Sequence, residues 1–499
     1  MRKEGNQSIV RVAAAGRNSS CMIIPSVAHF HRYCLGLILI LGFSFESPLL
    51  AGPARLIQAG PMIGHVTDSR ARIWVRVKQG ADLTAQATQG GSTQSQAFLK
   101  DLGSGFHLFQ FADLLPGMAT KITIYASREG NVESAPVEFQ TAPVPGPTGK
   151  VRIAFGSCSK VSQYKSAPIY RTIAQEHPDM VILVGDNSYF IVGDGTLMHF
   201  HTRGPLGDWS FPEAMLTRHL ITRVHPDLRA MLRTVPCYAV WDDHDYGPDN
   251  ADSLFELRDE ASRVFQQIWA NPGYGTDTVA GIFSSFRHGP VEVFLMDDRY
   301  HKYSPQRHSD VTPETGRIWG KEQTAWLLAG LKASTAPVKL IANGTQFISR
   351  LAHGEGHYQE ARGEQSRVLR FLNEQRIGGV MFLTGDRHYS EANQHTQPDG
   401  TLVVECTSSP LQHGQEVKPL EASHANQIWG MRGNNFGLIT VDIPEPGQGQ
   451  VRFEIRGEMN EVLETKEVKQ LKGTQQIKTV TGATTWMLKD LEYATSSGK

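Results

Sequence analysis

Apolar and polar positions follow two different patterns along the chain. Between Gly60 and about Pro143, apolar residues alternate with polar ones, as at 71–77 and 121–126. A period of two is typical of half-buried strands, and several short strands in succession predict a small all-β domain of immunoglobulin or fibronectin type. A proline-rich run at 142–147 then predicts a stiff linker and a domain boundary.

After this linker, continuous apolar runs alternate with amphipathic segments. The runs that we expect to form buried strands are 151–155, 180–184, 236–240, 291–296, 338–342, 379–383 and 402–406. The segments that we expect to form helices are 167–176, 322–331, 367–374 and one capped by Ser253 that carries Leu257, Ala261, Val264 and Ile268 on one face. This alternation predicts an α/β domain, in which 434–441 and 451–455 form two strands that close the second sheet.

Polar side chains able to bind a ligand follow these strands directly. They are Cys158, Asp186, Tyr189, Asp243, His244, Asp386 and His388. In an open α/β sheet, ligands bind at the carboxyl ends of the strands. Each residue alone would more often be a helix cap or a satisfied core histidine, but recurrence on successive strands favours a common site.

The densest of these strand ends is Asp242-Asp243-His244-Asp245, after the apolar run 236–240. So many carboxylates in a partly buried cleft would be unfavourable unless a cation compensates their charge. Carboxylate oxygens are the ligands that hard cations prefer. A solvated acidic loop is the alternative interpretation.

Composition narrows the class of protein. The chain has 499 residues, of which 40% are hydrophobic and 20% charged, as expected for a globular protein of two or three domains. The net charge of −1 does not indicate the excess of basic residues that is typical of proteins that bind nucleic acid or an anionic membrane surface.

The N-terminal region predicts a targeting signal. The apolar run 34–43 is too short to span a bilayer comfortably and is preceded by basic residues such as Arg32. Small residues then precede a predicted cleavage site near Ala51, so we expect an exported protein without a retained transmembrane segment. A retained anchor is the alternative, and the start of translation, Met1 or Met22, stays open.

Taken together, the strand-end residues resemble the alkaline phosphatase D (PhoD-type) family of calcineurin-like metallophosphoesterases, over roughly 151–441. The motifs that carry the resemblance are Phe155-Gly156-Ser157-Cys158, Gly185-Asp186 with Tyr189, Trp241-Asp242-Asp243-His244-Asp245, Asp297 with Arg299, and Thr384-Gly385-Asp386-Arg387-His388. The resemblance implies a four-layer α/β/β/α metallophosphatase sandwich, preceded here by the all-β domain. It also implies a site for two or more metals, with a ferric ion accompanied by calcium.

The resemblance also assigns metal ligands. They are Cys158, Asp186, Tyr189, Asp243, Asp386 and His388. Asp186 would bridge the metals, and Cys158 with Tyr189 would bind iron, because a phenolate is a hard anionic donor suited to Fe(III). Asp243 would bind the second metal, for which calcium fits a carboxylate-rich site. Other divalent metals such as Zn, Mn or Mg are the alternative.

The implied function is that of an exported alkaline phosphatase or phosphodiesterase. A metal-bound hydroxide would attack a phosphate monoester or diester, and His244 would protonate the leaving group as general acid. Arg299 would bind a phosphate oxygen, or alternatively form a salt bridge with Asp297 or Asp298. After Asp-Asp-His the family usually has Glu and then paired Asn; Pro248 and Asp249 in this loop leave the number and identity of calcium ions open.

Three other functions stay open. One is a phospholipase D-like phosphodiesterase. In that case the insert 190–228 would form an aromatic and basic rim of the cleft, with His199, His201, Arg203 and Trp209. The alternative for this insert is a structural loop without a role in binding. A second is a non-catalytic surface-binding protein. The third is a hydrolase with Cys158 as nucleophile and His244 or His388 as base.

The predicted organisation is a signal region at 1–51, a β-sandwich domain at 52–145, a metallophosphatase domain at 150–470 and a tail at 471–499. We expect a monomer that acts on a small phosphate ester or a phospholipid head group.

Overall fold

The computed structural model covers most of the chain after the N-terminal region. It describes residues 55–94, 97–189, 191–192, 196–197, 212–351, 354–420, 423–471 and 474–493. The expected signal region at 1–51 and the side chains His199, His201, Arg203 and Trp209 lie outside the described residues. None of the helices described has the length and apolar character needed to cross a membrane.

The N-terminal part is built from antiparallel strands. They are β1 Ile57–Val66, β2 Ala71–Val77, β3 Asp82–Gln89, β4 Ser92–Gln94, β5 Ala97–Gly103, β6 Phe106–Phe111, β7 Ala119–Arg128 and β8 Asn131–Gln140. One sheet has the order β1-β2-β6-β5 and the other β4-β3-β7-β8. In β7, Ile122, Ile124 and Ala126 are buried while the residues between them are not, which is the alternation seen in the sequence. Apolar side chains from both sheets share one cluster.

The strands of the second part form two larger mixed sheets and two separate two-stranded sheets. They are β9 Gly149–Gly156, β10 Met180–Val184, β11 Ile191–Val192, β12 Thr196–Leu197, β13 Cys237–Val240, β14 Ser284–His288, β15 Val291–Leu295, β16 Val338–Ala342, β17 Val380–Thr384, β18 Ser390–Thr396, β19 Leu402–Thr407, β20 Lys418–Pro419, β21 Gln427–Arg432, β22 Phe436–Glu445, β23 Gln448–Arg456, β24 Glu464–Leu471, β25 Thr474–Thr481 and β26 Ala483–Met487. One larger sheet has the order β13-β10-β9-β22-β23-β26, and the other β14-β15-β16-β17-β19-β18-β21-β20. In the two-stranded sheets, β11 pairs with β12 and β24 pairs with β25. Neighbours among β13, β10 and β9 are parallel, as are those along β15, β16, β17 and β19.

Most of the described helices lie in connections between parallel strands. They are α1 Pro168–Gln175, α2 Pro212–Arg223, α3 Pro226–Leu232, α4 Asp243–Tyr246, α5 Arg258–Ile268, α6 Gly320–Ala333, α7 His357–Glu360, α8 Arg362–Gln375 and α9 Leu488–Leu491. The predicted helices correspond to α1, α5, α6 and α8. The predicted cap of α5 is wrong, because the helix begins at Arg258 with Leu257 as its N-cap. Ser253 lies in the preceding loop, where its backbone N–H donates to Lys302 O at 2.9 Å.

Two C-terminal segments lie elsewhere than the sequence pattern predicts. β22 pairs antiparallel with β9, with Leu438 opposite Ala154, so β22 and β23 extend the sheet of the first parallel strands rather than the second sheet. The segment set apart as a tail supplies β26, whose Trp486 pairs with Val451 of β23. Burial of Trp486 and Leu491 gives this segment the apolar contacts that hold it against the sheet.

The loops that follow the parallel strands of both sheets meet in one place. Cys158 N–H donates to Gly185 O at 3.3 Å, which joins the loops after β9 and β10. Asp386 N–H donates to Ser157 Oγ at 3.2 Å, which joins the loop after β17 of one sheet to the loop after β9 of the other. The carboxyl ends of the two sets of strands therefore face a common site.

Candidate metal centre

The expected ligands stand at the start of loops that leave buried strands. Cys158 follows β9, which ends at Gly156, and Asp186 follows β10, which ends at Val184. Asp243 is the first residue of α4, the short helix after β13. Its N-terminus is closed by a capping box in which the side chains of Asp242 and Asp245 accept backbone N–H groups.

Four of these residues have a left-handed backbone conformation. The φ angles are 57° at Cys158, 52° at Asp186, 64° at Asp386 and 51° at His388. A side chain other than glycine is strained in this region, and such strain persists where the surroundings over-determine it, often at a functional site. The backbone therefore turns sharply at the strand ends and directs these side chains toward one another.

A first group of possible ligands consists of Cys158, Asp186 and His388, whose ligand atoms all lie within 4.8 Å of one another. Tyr189 joins this group, because its hydroxyl donates to Asp186 Oδ2 at 2.6 Å. Cys158 Sγ lies 3.5 Å from the same oxygen. A thiol, a phenol, an imidazole and a carboxylate thus surround one point.

A second group consists of Asp186, Asp243 and His244, again with ligand atoms within 4.8 Å of one another. The backbone N–H of His244 donates to Asp186 Oδ1 at 3.2 Å and to Asp243 Oδ1 at 2.8 Å. Asn250 N–H donates to the other oxygen, Asp243 Oδ2, at 2.8 Å. Asp186 belongs to both groups, which is the arrangement expected of a bridging carboxylate.

Charge in this cluster is poorly balanced by the side chains alone. Burial raises the pKa of Asp186 well above its usual range, and the charges of Asp243 and Asp245 raise it further. Burial also raises the pKa of Asp245 to about 6. These raised pKa values mean that ionising both carboxyl groups at once is unfavourable in the absence of a cation. A bound cation would stabilise both carboxylates, so the cluster is suited to binding metal.

Asp386 is part of the same cluster through its backbone rather than its carboxylate. Its carbonyl oxygen lies 3.4 Å from Cys158 Sγ. Its Oδ2 is buried and accepts no hydrogen bond from the described residues, although Arg387 Nη1 lies 3.5 Å away. Burial raises the pKa of this carboxyl to about 7. The carboxylate belongs to neither of the two ligand groups above.

Arg299 forms ion pairs with buried carboxylates. Its side chain is 1% exposed, and its Nε donates to Asp242 Oδ1 at 2.5 Å and its Nη2 to Glu355 Oε2 at 2.6 Å. Asp298 Oδ1 is 3.9 Å from Nε. The contact with Asp298 is one of the ion pairs expected as the alternative to a phosphate contact, whereas the ion pairs with Asp242 and Glu355 were not predicted.

Sequence reasoning missed two residues at the site. The His413 ring lies 4.1 Å from the ring of His388 and 6.1 Å from that of Tyr189, measured between centroids. Lys160 places its Nζ 5.5 Å from the centroid of the Tyr189 ring. His413 follows the apolar run 402–406, so the strand-end pattern could have pointed to it; no motif singles out Lys160.

Comparison with known proteins identifies relatives of this fold. The family model of PhoD-like phosphatases matches residues 153–453. The curated protein "Alkaline phosphatase D" of Bacillus subtilis (strain 168) is 23% identical over 309 residues, which cover 55% of this chain and 52% of that protein. The match thus spans about half the length of this relative.

Two solved structures share the architecture. The structure of PhoD has a TM-score of 0.66 at 16% identity and covers 86% of this chain and 90% of its own. The purple acid phosphatase from yellow lupin (Lupinus luteus) seeds has a TM-score of 0.57 at 12% identity, with 82% and 74% covered. At such identities the likeness establishes the fold, which is a metallophosphatase fold with mixed sheets.

Proposed function

Because this chain belongs to the PhoD-like phosphatase family, we propose that it is a metal-dependent phosphohydrolase that cleaves phosphate esters. The observation that carries the proposal is the position of Asp186, whose carboxylate is shared by two groups of ligand-type side chains. A pair of cations held by one carboxylate is an arrangement suited to phosphoryl transfer, in which both the entering and the leaving oxygen need positive charge nearby.

The chemistry of the donors favours two different metals. Cys158, Tyr189 and His388 around one oxygen of Asp186 would suit a ferric ion, because thiolate and phenolate are anionic donors with affinity for Fe(III). Asp243 on the other side offers carboxylate oxygens, which suit calcium. Asp386 would be a further ligand, because its buried Oδ2 accepts no hydrogen bond from the described residues.

Bound cations would supply charge that neutralises the phosphoryl oxygens and increases the acidity of a water molecule. His244 would then act as general acid. Its ring lies against Tyr189, with the centroids 4.5 Å apart, and is half-buried at the edge of the second group. Arg299 would hold Asp242, which caps α4 and so fixes Asp243 and His244, and would thus act as a positioning residue.

Three further features belong to the proposal. The two sheets and their helices would stack as a four-layer α/β/β/α sandwich, and the N-terminal sheets would form a β-sandwich around their shared apolar cluster. The chain would be exported after cleavage near Ala51, and it would act as a monomer on a small phosphate ester. N-terminal sequencing of protein recovered from an exporting host tests the cleavage site.

Metal analysis combined with matched cysteine variants tests the function. The purified chain should contain iron and calcium, hydrolyse p-nitrophenyl phosphate or its bis-ester, lose activity to a chelator and regain it with metal. Cys158→Ala should lower both iron content and activity. Cys237→Ala, at a buried thiol in β13, should leave both unchanged.

The same experiment separates the proposal from a thiol hydrolase. Cys158 is fully buried, and burial raises the pKa of its thiol, whereas a nucleophilic cysteine needs an accessible thiolate. A metal-free preparation that retains full activity and loses it on thiol alkylation would contradict the metallophosphatase. A metal-loaded preparation active on neither ester would leave the surface-binding alternative.

A further inference from the structure

Lys160 is a cation at the edge of the candidate metal centre to which the proposed function gives no role. It follows Cys158 in the loop after β9, and its side chain is half-buried. Its ammonium lies 5.5 Å from the centroid of the Tyr189 ring. Among the described residues, this ammonium makes neither an ion pair nor a hydrogen bond.

The backbone fixes Lys160 in this position. Its N–H donates to Gln412 O at 2.9 Å, and the preceding residue, Ser159, forms a parallel bridge with Gln412. The loop after β9 is therefore attached to the loop after β19, which carries His413 against His388. The lysine stem consequently starts from a fixed point beside the first ligand group.

The neighbouring guanidinium groups are already engaged by the protein. Arg387 Nη1 lies 3.5 Å from Asp386 Oδ2, and Nε donates to Tyr389 OH at 3.4 Å. The guanidinium also packs on the backbone of Gly354, where a Cβ would lie 1.8 Å from Nη1. Arg299 is paired with Asp242 and Glu355 as described above. Of these three cations, Lys160 is the one that forms no ion pair with a described carboxylate, although the charge of Asp186 acts on it from a longer distance.

A half-buried ammonium that has no direct ion-pair partner is stabilised when an anion binds beside it. We propose that Lys160 binds a non-bridging oxygen of the substrate phosphoryl group and makes the protein prefer phosphomonoesters to phosphodiesters. This inference rests on the proposed phosphohydrolase function. A monoester carries nearly two negative charges above its second ionisation near pH 6, whereas a diester carries one, so a cation contributes more to binding the monoester.

The test compares Lys160→Gln with wild type in the full, metal-loaded chain. The substrates are p-nitrophenyl phosphate and bis-p-nitrophenyl phosphate, and kcat and KM are measured for each at pH 8. We expect kcat/KM for the monoester to fall about tenfold or more, mostly through KM, and kcat/KM for the diester to fall less than about threefold. Calorimetric titration with orthophosphate should show about tenfold weaker binding to the variant.

Two further variants and one assay serve as controls. Lys160→Arg keeps the charge and should restore most of the monoester preference. Lys165→Gln removes an exposed lysine of the same loop. It should change neither the monoester-to-diester ratio of kcat/KM nor the binding of orthophosphate. Iron and calcium content should be equal in all four proteins, which excludes loss of metal as the cause.

The outcomes are distinct. Unchanged selectivity and unchanged orthophosphate binding in Lys160→Gln overturn the inference, as does an equal loss on both esters accompanied by loss of metal, which would indicate a structural role. If wild type hydrolyses neither ester, the proposed function fails, and orthophosphate binding still decides whether Lys160 contacts the anion.

Discussion

The carboxylate of Asp186 presents different donors on its two sides. Its Oδ2 accepts a hydrogen bond from the Tyr189 hydroxyl at 2.6 Å and lies 3.5 Å from Cys158 Sγ. Its Oδ1 accepts a hydrogen bond from the backbone N–H of His244 at 3.2 Å. Sulfur and phenol thus lie on one side and the segment with Asp243 on the other. A bridging role for Asp186 would therefore join two metals of unlike preference, which is the physical basis for proposing iron with calcium.

The role proposed for His244 depends on the leaving group. If His244 donates a proton to the departing alkoxide, His244→Asn should lower kcat by about a hundredfold or more on an alkyl phosphate such as β-glycerophosphate. The loss should be much smaller on p-nitrophenyl phosphate, because p-nitrophenolate leaves without protonation. Steady-state rates on both substrates measure the difference. An equal loss on both, together with loss of metal, would instead make His244 a ligand.

Arg299 illustrates how a buried charge acts on stability. It compensates Asp242 and Glu355, and Glu355 in turn contacts Lys302 at 2.8 Å. Arg299→Met would leave these carboxylates under-compensated, and we expect the free energy of unfolding to fall by about 3–5 kcal/mol in a denaturant titration.

A matched control is the exposed pair of Arg263 with Glu260, whose side chains are 57% and 40% exposed. Arg263→Met should change the free energy of unfolding by less than about 1 kcal/mol. Should Arg299→Met keep wild-type stability while raising KM for phosphate esters, the direct phosphate contact predicted from the sequence would replace the positioning role.

At the scale of elements, the strands and the edge that carries the site were predictable, whereas the course of the loops was not. The apolar runs ending near Cys158, Asp186 and Asp386 mark buried parallel strands, and geometry requires such strands to end together. The direction of a side chain within the following loop depends on long-range pairing. Lys160 reaches the site because its loop pairs with Gln412, more than two hundred residues later, and no local pattern encodes that contact.

Gly185 shows how tightly the loop after β10 is packed. Its φ is +89°, and a Cβ there would lie 2.6 Å from Asp242 Cβ and 3.0 Å from Asp242 N. Gly185→Ala should therefore displace the capping residue of α4 and lower both thermal stability and metal content, with a loss of about 2–4 kcal/mol in the free energy of unfolding.

The control for Gly185→Ala separates backbone strain from the clash. Gly130 has a similar φ of +80° but open space around the position of a Cβ. Gly130→Ala should cost about 1–2 kcal/mol, the strain alone, and leave metal content unchanged. Equal losses in the two variants would mean that contact with Asp242 does not constrain the site.

At the scale of the whole molecule, the N-terminal strands are attached to the elements that carry the site. Trp74 Nε1 donates to Gln267 O at 2.8 Å, and His65 N–H donates to Ala270 O at 2.9 Å. Arg223 of α2 lies over the Trp74 ring at 5.2 Å. Apolar residues of β1, β2 and β6 belong to the same core cluster as β9, β10 and β13. We therefore expect the two regions to unfold together rather than as independent domains.

His65 makes this attachment sensitive to acid. Its ring packs against Tyr238 and Phe286, and burial, followed by the charges of Arg72 and His288, lowers its pKa from 6.5 to about 3. Because the unfolded chain binds the proton more readily, this contribution to stability is complete above pH 6.5 and is lost as the pH falls toward 3. The slope within that interval is at most about 1.4 kcal/mol per pH unit.

Comparison of His65→Gln with wild type isolates this contribution from the other acidic groups. The free energy of unfolding, measured by denaturant titration at intervals from pH 7.5 to 4.5, should decline more steeply in wild type than in His65→Gln, so that the two curves converge in acid. His177→Gln, at an exposed histidine, should decline in parallel with wild type. Parallel curves for His65→Gln would mean that protonation of His65 does not oppose folding.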